Sequence, residues 1–233
     1  MTKKLGVIGG MGAEATSYYF QQLVAHTQAE KDQDHIDTII LNHASLPDRT
    51  KSILKGNTEK LLNKLTKDAQ LLEQLGVENI AIPCNTTHYL FDEISKQISI
   101  PIIHMVRETV LYASKKHKNL KKIGVMATNG TIHSEVYHKE ADKLGIEIVT
   151  PSIERQEDVM SLIYEDIKSG HSGDYSKFQR TYDELIDENC EIIILACTEL
   201  SVFKDKNTVY ENCIDAMDVL VQESIIRSDA IYK

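Results

Sequence analysis

Two stretches of this chain occur twice. Lys3-Lys4-Leu5-Gly6-Val7-Ile8 is echoed by Lys121-Lys122-Ile123-Gly124-Val125-Met126, and Ile80-Ala81-Ile82-Pro83-Cys84-Asn85-Thr86 by Ile193-Ile194-Leu195-Ala196-Cys197-Thr198-Glu199. The pairs recur in the same order at nearly the same separation, which constrains the chain to two related halves rather than a solenoid of short repeats. Each half opens on a short apolar run and closes on another that ends in a cysteine. If the halves face each other, so do the two thiols.

Between those runs, Val- and Ile-rich segments alternate with longer stretches of 3.6-residue periodicity, the pattern of βα units on a parallel sheet. The first half reads as strands 4–9, 36–42 and 78–83 with helices 13–30 and 58–75. The second reads as strands 121–127, 146–150 and 191–196 with helices 131–144, 156–168 and 174–189. Gly76 and Gly145 stand where helix-terminating residues belong. Residues 101–104 read as a further strand, 106–116 as a helix, and 214–228 as a closing helix expected to pack back on the first half. The expected fold class is α/β, with two pseudo-symmetric lobes, each a mostly parallel sheet flanked by helices. The first lobe takes residues 1–105 plus 212–233 and carries Cys84; the second takes 106–211 and carries Cys197. In open α/β sheets ligands bind beyond the carboxyl ends of the strands, where both cysteines fall, so the site is expected in the cleft between the lobes.

With 233 residues, 42% of them hydrophobic, the chain can bury cores of this size without staples. Four cysteines and no Cys-x-x-Cys pair fit a reducing compartment, and no segment resembles a secretion signal or a membrane span. A soluble, cytoplasmic protein is expected. The net charge of −9 argues against a sequence-independent grip on nucleic acid and requires a locally cationic pocket for any anionic substrate.

A thiol at a strand-to-helix junction can be partly ionised near neutrality, because a helix N-terminus or a neighbouring cation lowers its pKa. One thiolate and one thiol on opposite sides of an amino acid could take the Cα proton from one face and return a proton to the other. The plain alternative is that cysteines are small buried apolar groups. That reading suits Cys190 and Cys213. It suits Cys84 and Cys197 less well, because polar Asn85, Thr86, Thr198 and Glu199 flank them. A zinc site is weaker still, since Cys84 and His88 lack a second pair of ligands.

Gly9-Gly10-Met11-Gly12-Ala13-Glu14-Ala15-Thr16, Pro47-Asp48-Arg49-Thr50, Pro83-Cys84-Asn85-Thr86-Thr87-His88 and Ala196-Cys197-Thr198-Glu199-Leu200 together resemble the motifs of the aspartate/glutamate racemase family, nearer to its aspartate racemases and broad-specificity members. The resemblance runs over nearly the whole chain. It implies racemisation without pyridoxal phosphate, metal or nucleotide, no cofactor at all, an amino acid as the small-molecule partner, and a homodimer. It further implies that Cys84 and Cys197 are the two acid/base residues, and that Met11 and Thr198 line the substrate site. Asn85, Thr86, Thr128 and Thr131 would bind the substrate's α-carboxylate and α-amino group. Arg49, oriented by Asp48, resembles the clamp for a distal carboxylate, and Lys168 a second cation facing the side chain. The alternatives for these two are a surface ion pair and a helix C-terminal lysine. Where the glutamate branch carries a histidine after its second cysteine, this chain has Glu199, a candidate proton-handling partner. His88 reads as a packing or capping residue.

The glycine motif also fits the dinucleotide fingerprint, so a nicotinamide-dependent oxidoreductase is the rival enzyme class. The second strand, however, runs into Asn42 and His43 instead of the acidic residue that would hold a ribose. In the racemase reading the glycines let the backbone approach a small substrate. Decarboxylases and maleate-type isomerases use related lobes, but the decarboxylases need only one such cysteine, and in a two-lobed amino-acid sensor both cysteines would be incidental.

Overall fold

A computed structural model describes residues 2–233. Two parallel sheets are flanked by helices. The first has the order β2-β1-β3, built from β1 (Leu5–Gly9), β2 (Thr38–Asn42) and β3 (Asn79–Ala81), and a single parallel bridge from Ile80 to Ile102 extends it. Helix α1 (Ala13–His26) follows β1, while α2 (Arg49–Leu54) and α3 (Glu59–Gln74) connect β2 to β3. After Cys84 the chain makes a 3-10 turn over Thr86–Leu90 and the short helix α4 (Phe91–Ser95). Helix α5 (Met105–Lys116) then leads to the second sheet.

That sheet has the order β5-β4-β6-β7, with β4 (Lys122–Met126), β5 (Glu147–Val149), β6 (Ile192–Leu195) and β7 (Cys213–Asp215), all parallel. Around it run α6 (Asn129–His133), α7 (Val136–Asp142), α8 (Ile153–Ser161), α9 (Tyr175–Asp187), α10 (Thr198–Lys206) and α11 (Ala216–Arg227). Strands β1, β4 and β6 are buried almost throughout, as expected where helices cover both faces of a parallel sheet.

Four helices differ from the periodicity reading. The helix expected over 13–30 ends at His26, because Thr27 turns extended and bridges Tyr232. The helix expected over 131–144 is broken into α6 and α7 at Glu135, which takes a left-handed backbone with φ 55°. The helix expected over 156–168 starts earlier, at Ser152, whose hydroxyl caps the Arg155 amide. It then widens into a π turn over Leu162–Asp166. The closing helix expected from residue 214 begins at Ala216, because Cys213–Asp215 pair with β6 as β7 and the Asp215 carboxylate then caps the Met217 amide.

One hydrophobic core joins the two sheets. It contains Leu5 and Val7 of β1, Val106 and Val110 of α5, Ile123 and Val125 of β4, Ile192 and Ile194 of β6, and Leu220 and Ile225 of α11. Helix α11 lies against α1, where the Tyr19 hydroxyl donates to Ser224 Oγ at 2.7 Å. Among the described residues no helix is long and apolar enough to cross a membrane.

Candidate active site

The carboxyl ends of β1, β3, β4 and β6 converge on a small cavity, with room of about 20 Å³ for the centre of a water-sized sphere. Its lining holds Met11 and the Asp48-Arg49-Thr50 segment from the first half of the chain, with Cys84, Asn85 and Thr86 after β3. From the second half come Thr128, Tyr164, Lys168, Ala196, Cys197, Thr198 and Glu199. Every residue singled out from sequence lies on this lining except Thr131, which stands one hydrogen bond behind it. Thr50 and Tyr164 were not singled out. Thr50 follows directly on the Asp48-Arg49 pair, whereas Tyr164 is carried by a π turn that periodicity does not announce.

The halves meet closely here. A Cβ on Gly130 would come within 2.7 Å of Thr50 Cα, so glycine is what lets the start of α6 sit on α2. A triangle of hydroxyls bridges the same junction. Thr86 Oγ1 lies 3.1 Å from Thr128 Oγ1 and 2.8 Å from Thr131 Oγ1, and the last two are 3.2 Å apart. All three side chains are buried, and each hydroxyl can donate to the next, which leaves the triangle satisfied without water.

The cysteines are free and buried, at 6% and 7% exposure. Their surroundings differ. The Cys197 thiol donates to Glu199 Oε2 at 2.9 Å, and Glu199 Oε1 is 3.2 Å from Lys168 Nζ. Burial, followed by the charge of Glu199, pushes the Cys197 thiol well above the usual cysteine range. Lys168 and the Glu199 amide at the start of α10 pull the other way and lose. Burial is the largest influence on Lys168 and opposes its charge, but Glu199, Cys197 and Tyr164 together outweigh it and hold the ammonium above the ordinary lysine value. Among the described residues Cys84 Sγ makes no comparable contact with a carboxylate. Its loop is fixed instead through the main chain. His88 Nδ1 lies 3.0 Å from the Cys84 carbonyl, and His88 Nε2 accepts from the Met105 amide at 3.0 Å. That acceptor leaves Nδ1 as the protonated nitrogen, and burial holds the imidazole below its ordinary range, so His88 is a neutral brace.

Asn85 is 2% exposed. Its Oδ1 accepts from the Tyr137 hydroxyl at 2.7 Å, while its Nδ2 has no hydrogen-bond partner among the described residues. Burial holds the Tyr137 phenol far above the ordinary tyrosine range, which keeps it protonated, and among the described residues Asn85 Oδ1 is the acceptor for that proton.

Arg49 faces the cavity with its guanidinium donating to two backbone carbonyls, Pro47 at 3.3 Å and Met11 at 3.2 Å, and, among the described residues, to no carboxylate. The expectation that Asp48 orients Arg49 is therefore corrected. Asp48 Oδ1 accepts from the Lys51 amide at 2.7 Å as the N-cap of α2, while the Arg49 guanidinium turns to the Pro47 and Met11 carbonyls. The glycines of the first loop also serve the chain's own packing. At Gly10, where φ is 89°, a Cβ would lie 2.6 Å from the backbone nitrogens of His43 and Ala44. The described residues hold no group of three or more His, Cys, Asp or Glu side chains placed to grip a metal ion.

A profile of the family described as Asp/Glu/Hydantoin racemase matches residues 8–224. The broad specificity amino-acid racemase RacX of Bacillus subtilis (strain 168) is 28% identical over 225 residues, 95% of this chain and 96% of that protein. The structure of Picrophilus torridus aspartate racemase superimposes with a TM-score of 0.82 at 28% identity, covering 99% of this chain and 96% of the other. An aspartate racemase homologue from Pyrococcus horikoshii OT3 shares the fold, with a TM-score of 0.77 at 23% identity over 97% and 99% of the two chains.

Proposed function

The chain belongs to the Asp/Glu/hydantoin racemase family, and on that premise we propose that it racemises an acidic amino acid, aspartate first, by two-base proton transfer between Cys84 and Cys197. One observation carries this reading: two free, buried cysteines from equivalent positions of the two halves line a single small cavity together with two cations.

The chemistry follows from the asymmetry of the two thiols. Cys197, buried and donating to Glu199, is the protonated member of the resting pair. Cys84, as thiolate, takes the Cα proton from one face, and the electron pair left on carbon delocalises into the α-carboxylate. Cys197 then gives its proton to the opposite face, so the pair ends with protonation reversed and the amino acid inverted. The reverse direction starts from that second form. Donors aimed at the α-carboxylate stabilise the carbanionic transition state more than the ground state, because negative charge grows there as the C–H bond breaks. The Asn85 NH2, unpaired among the described residues, is the donor at hand, and the hydroxyls of Thr86 and Thr128 become donors when a bound carboxylate draws their protons out of the triangle. Arg49, which pairs with no carboxylate among the described residues, is suited to clamp the side-chain carboxylate through its planar fork, with Lys168 as the second cation.

Incubating each enantiomer of aspartate, glutamate and neutral amino acids separately in deuterated water tests the reading. Loss of optical activity with deuterium entering Cα is expected for aspartate. Loss that extends equally to neutral amino acids would replace an acidic specificity with a broad one. Absence of Cα labelling for every amino acid would overturn the racemase reading.

A further inference from the structure

The Asn85 amide is held from one end only. Its oxygen is fixed by the hydroxyl of Tyr137, a 2%-exposed side chain on α7, fifty-two residues away in the sequence, while its NH2 is buried and has no partner among the described residues, and Asn85 lies on the cavity lining. A buried amide NH2 without an acceptor costs free energy that folding alone would not retain. A side-chain amide can also rotate by half a turn at little steric cost, exchanging acceptor for donor. Without Tyr137, nothing on the hydrogen-bonding side would decide which end of Asn85 meets a ligand.

We propose that the Tyr137 hydroxyl is a positioning group that locks the Asn85 amide so that its NH2 donates to the α-carboxylate of the substrate. The inference rests on the racemase reading and deepens it. Tyr137 touches no substrate atom and acts through Asn85. With the amide reversed, its oxygen would stand against the carboxylate, a repulsion that grows as charge accumulates there. The lock therefore bears on the proton-transfer step and on ground-state binding alike. It also ties the loop that carries Cys84 to a helix of the second half, so the donor is set by the same contact that joins the halves.

The test is a double-mutant cycle on the full-length protein, with racemisation of the preferred acidic amino acid as the readout and thermal melting as the control for folding. Tyr137→Phe is expected to lower kcat/KM by about tenfold or more, with kcat falling and KM rising. In an Asn85→Ala background the same change is expected to do nothing further, because the group through which it acts is gone. Wild-type kinetics for Tyr137→Phe, or an equal loss in both backgrounds, would overturn the proposal. Asn85→Asp keeps the acceptor for Tyr137 and replaces the NH2 with an anionic oxygen. It keeps the proposal falsifiable should Tyr137→Phe not fold. A loss of at least a hundredfold in kcat/KM is expected from it, and retention of activity would contradict the donor role. An inactive wild-type protein would instead speak against the racemase reading itself.

Discussion

Glu199 accepts a hydrogen bond from the Cys197 thiol across 2.9 Å, and the other oxygen of the same carboxylate faces Lys168 at 3.2 Å. A thiol, a carboxylate and an ammonium thus form a short chain at one wall of the cavity, and the protonation of Cys197 is set first by burial and then by a group two residues away in sequence.

Replacing Glu199 with Gln removes the charge that, after burial, does most to keep the Cys197 thiol protonated. In the direction where Cys197 abstracts the proton, rate rises with pH as the thiol ionises. Glu199→Gln should move that rise about one unit toward acid, read from the pH profile of kcat for each enantiomer. An unmoved profile would dissociate Glu199 from Cys197.

The same raised thiol has a signature in stability. The unfolded chain ionises Cys197 near its ordinary value of 9.0, while the folded chain keeps the proton to higher pH. Its contribution is therefore complete below pH about 9 and is lost as pH rises further. Melting curves of the wild type and Cys197→Ser should diverge in that alkaline window, with the serine variant losing less.

His88 braces the Cys84 loop through two buried bonds, to the Cys84 carbonyl and from the Met105 amide. Its pKa is lowered by burial, so its contribution is present above pH 6.5 and lost as pH falls toward the folded value, where protonation would break the bond from Met105. His88→Ala should cost about 2–4 kcal/mol in chemical denaturation and lower activity through the displaced Cys84, although no atom of His88 need meet the substrate.

Arg49→Ala should raise KM for aspartate by a hundredfold or more while changing little for a neutral amino acid that the enzyme accepts. Arg49→Lys should recover only part of the loss, since a point charge cannot replace a planar fork of donors. Equal effects on acidic and neutral amino acids would assign Arg49 to the loop it braces instead of to specificity.

Much of this architecture was legible in the residues because the signal was local. The apolar runs at β1, β4 and β6 are long enough to announce buried strands, and the echo of the two cysteine segments brought the site to one sheet edge. β7 escaped because Cys213-Ile214-Asp215 is only three residues long and flows into a helix, so nothing in the composition separates strand from first helical turn. The break at Glu135 rests on a left-handed backbone that glutamate has no special preference for, so local propensity carries no trace of it. The pairing of Arg49 with Asp48 was read from adjacency, whereas an aspartate three residues before the Lys51 amide is itself an N-cap signal, and the cap prevailed. Tyr137 was invisible for a different reason: it belongs to none of the recurring segments, and only the tertiary fold brings it to Asn85.

The most direct test of the central claim is isotope wash-in at Cα from each enantiomer of aspartate in deuterated water, for the wild type, Cys84→Ser and Cys197→Ser. The wild type should place deuterium in the product enantiomer while the remaining substrate stays unlabelled early in the reaction, and either serine should slow interconversion by about a thousandfold or more with the fold intact. Interconversion within tenfold of wild type in either serine variant would contradict a mechanism that uses both sulfurs.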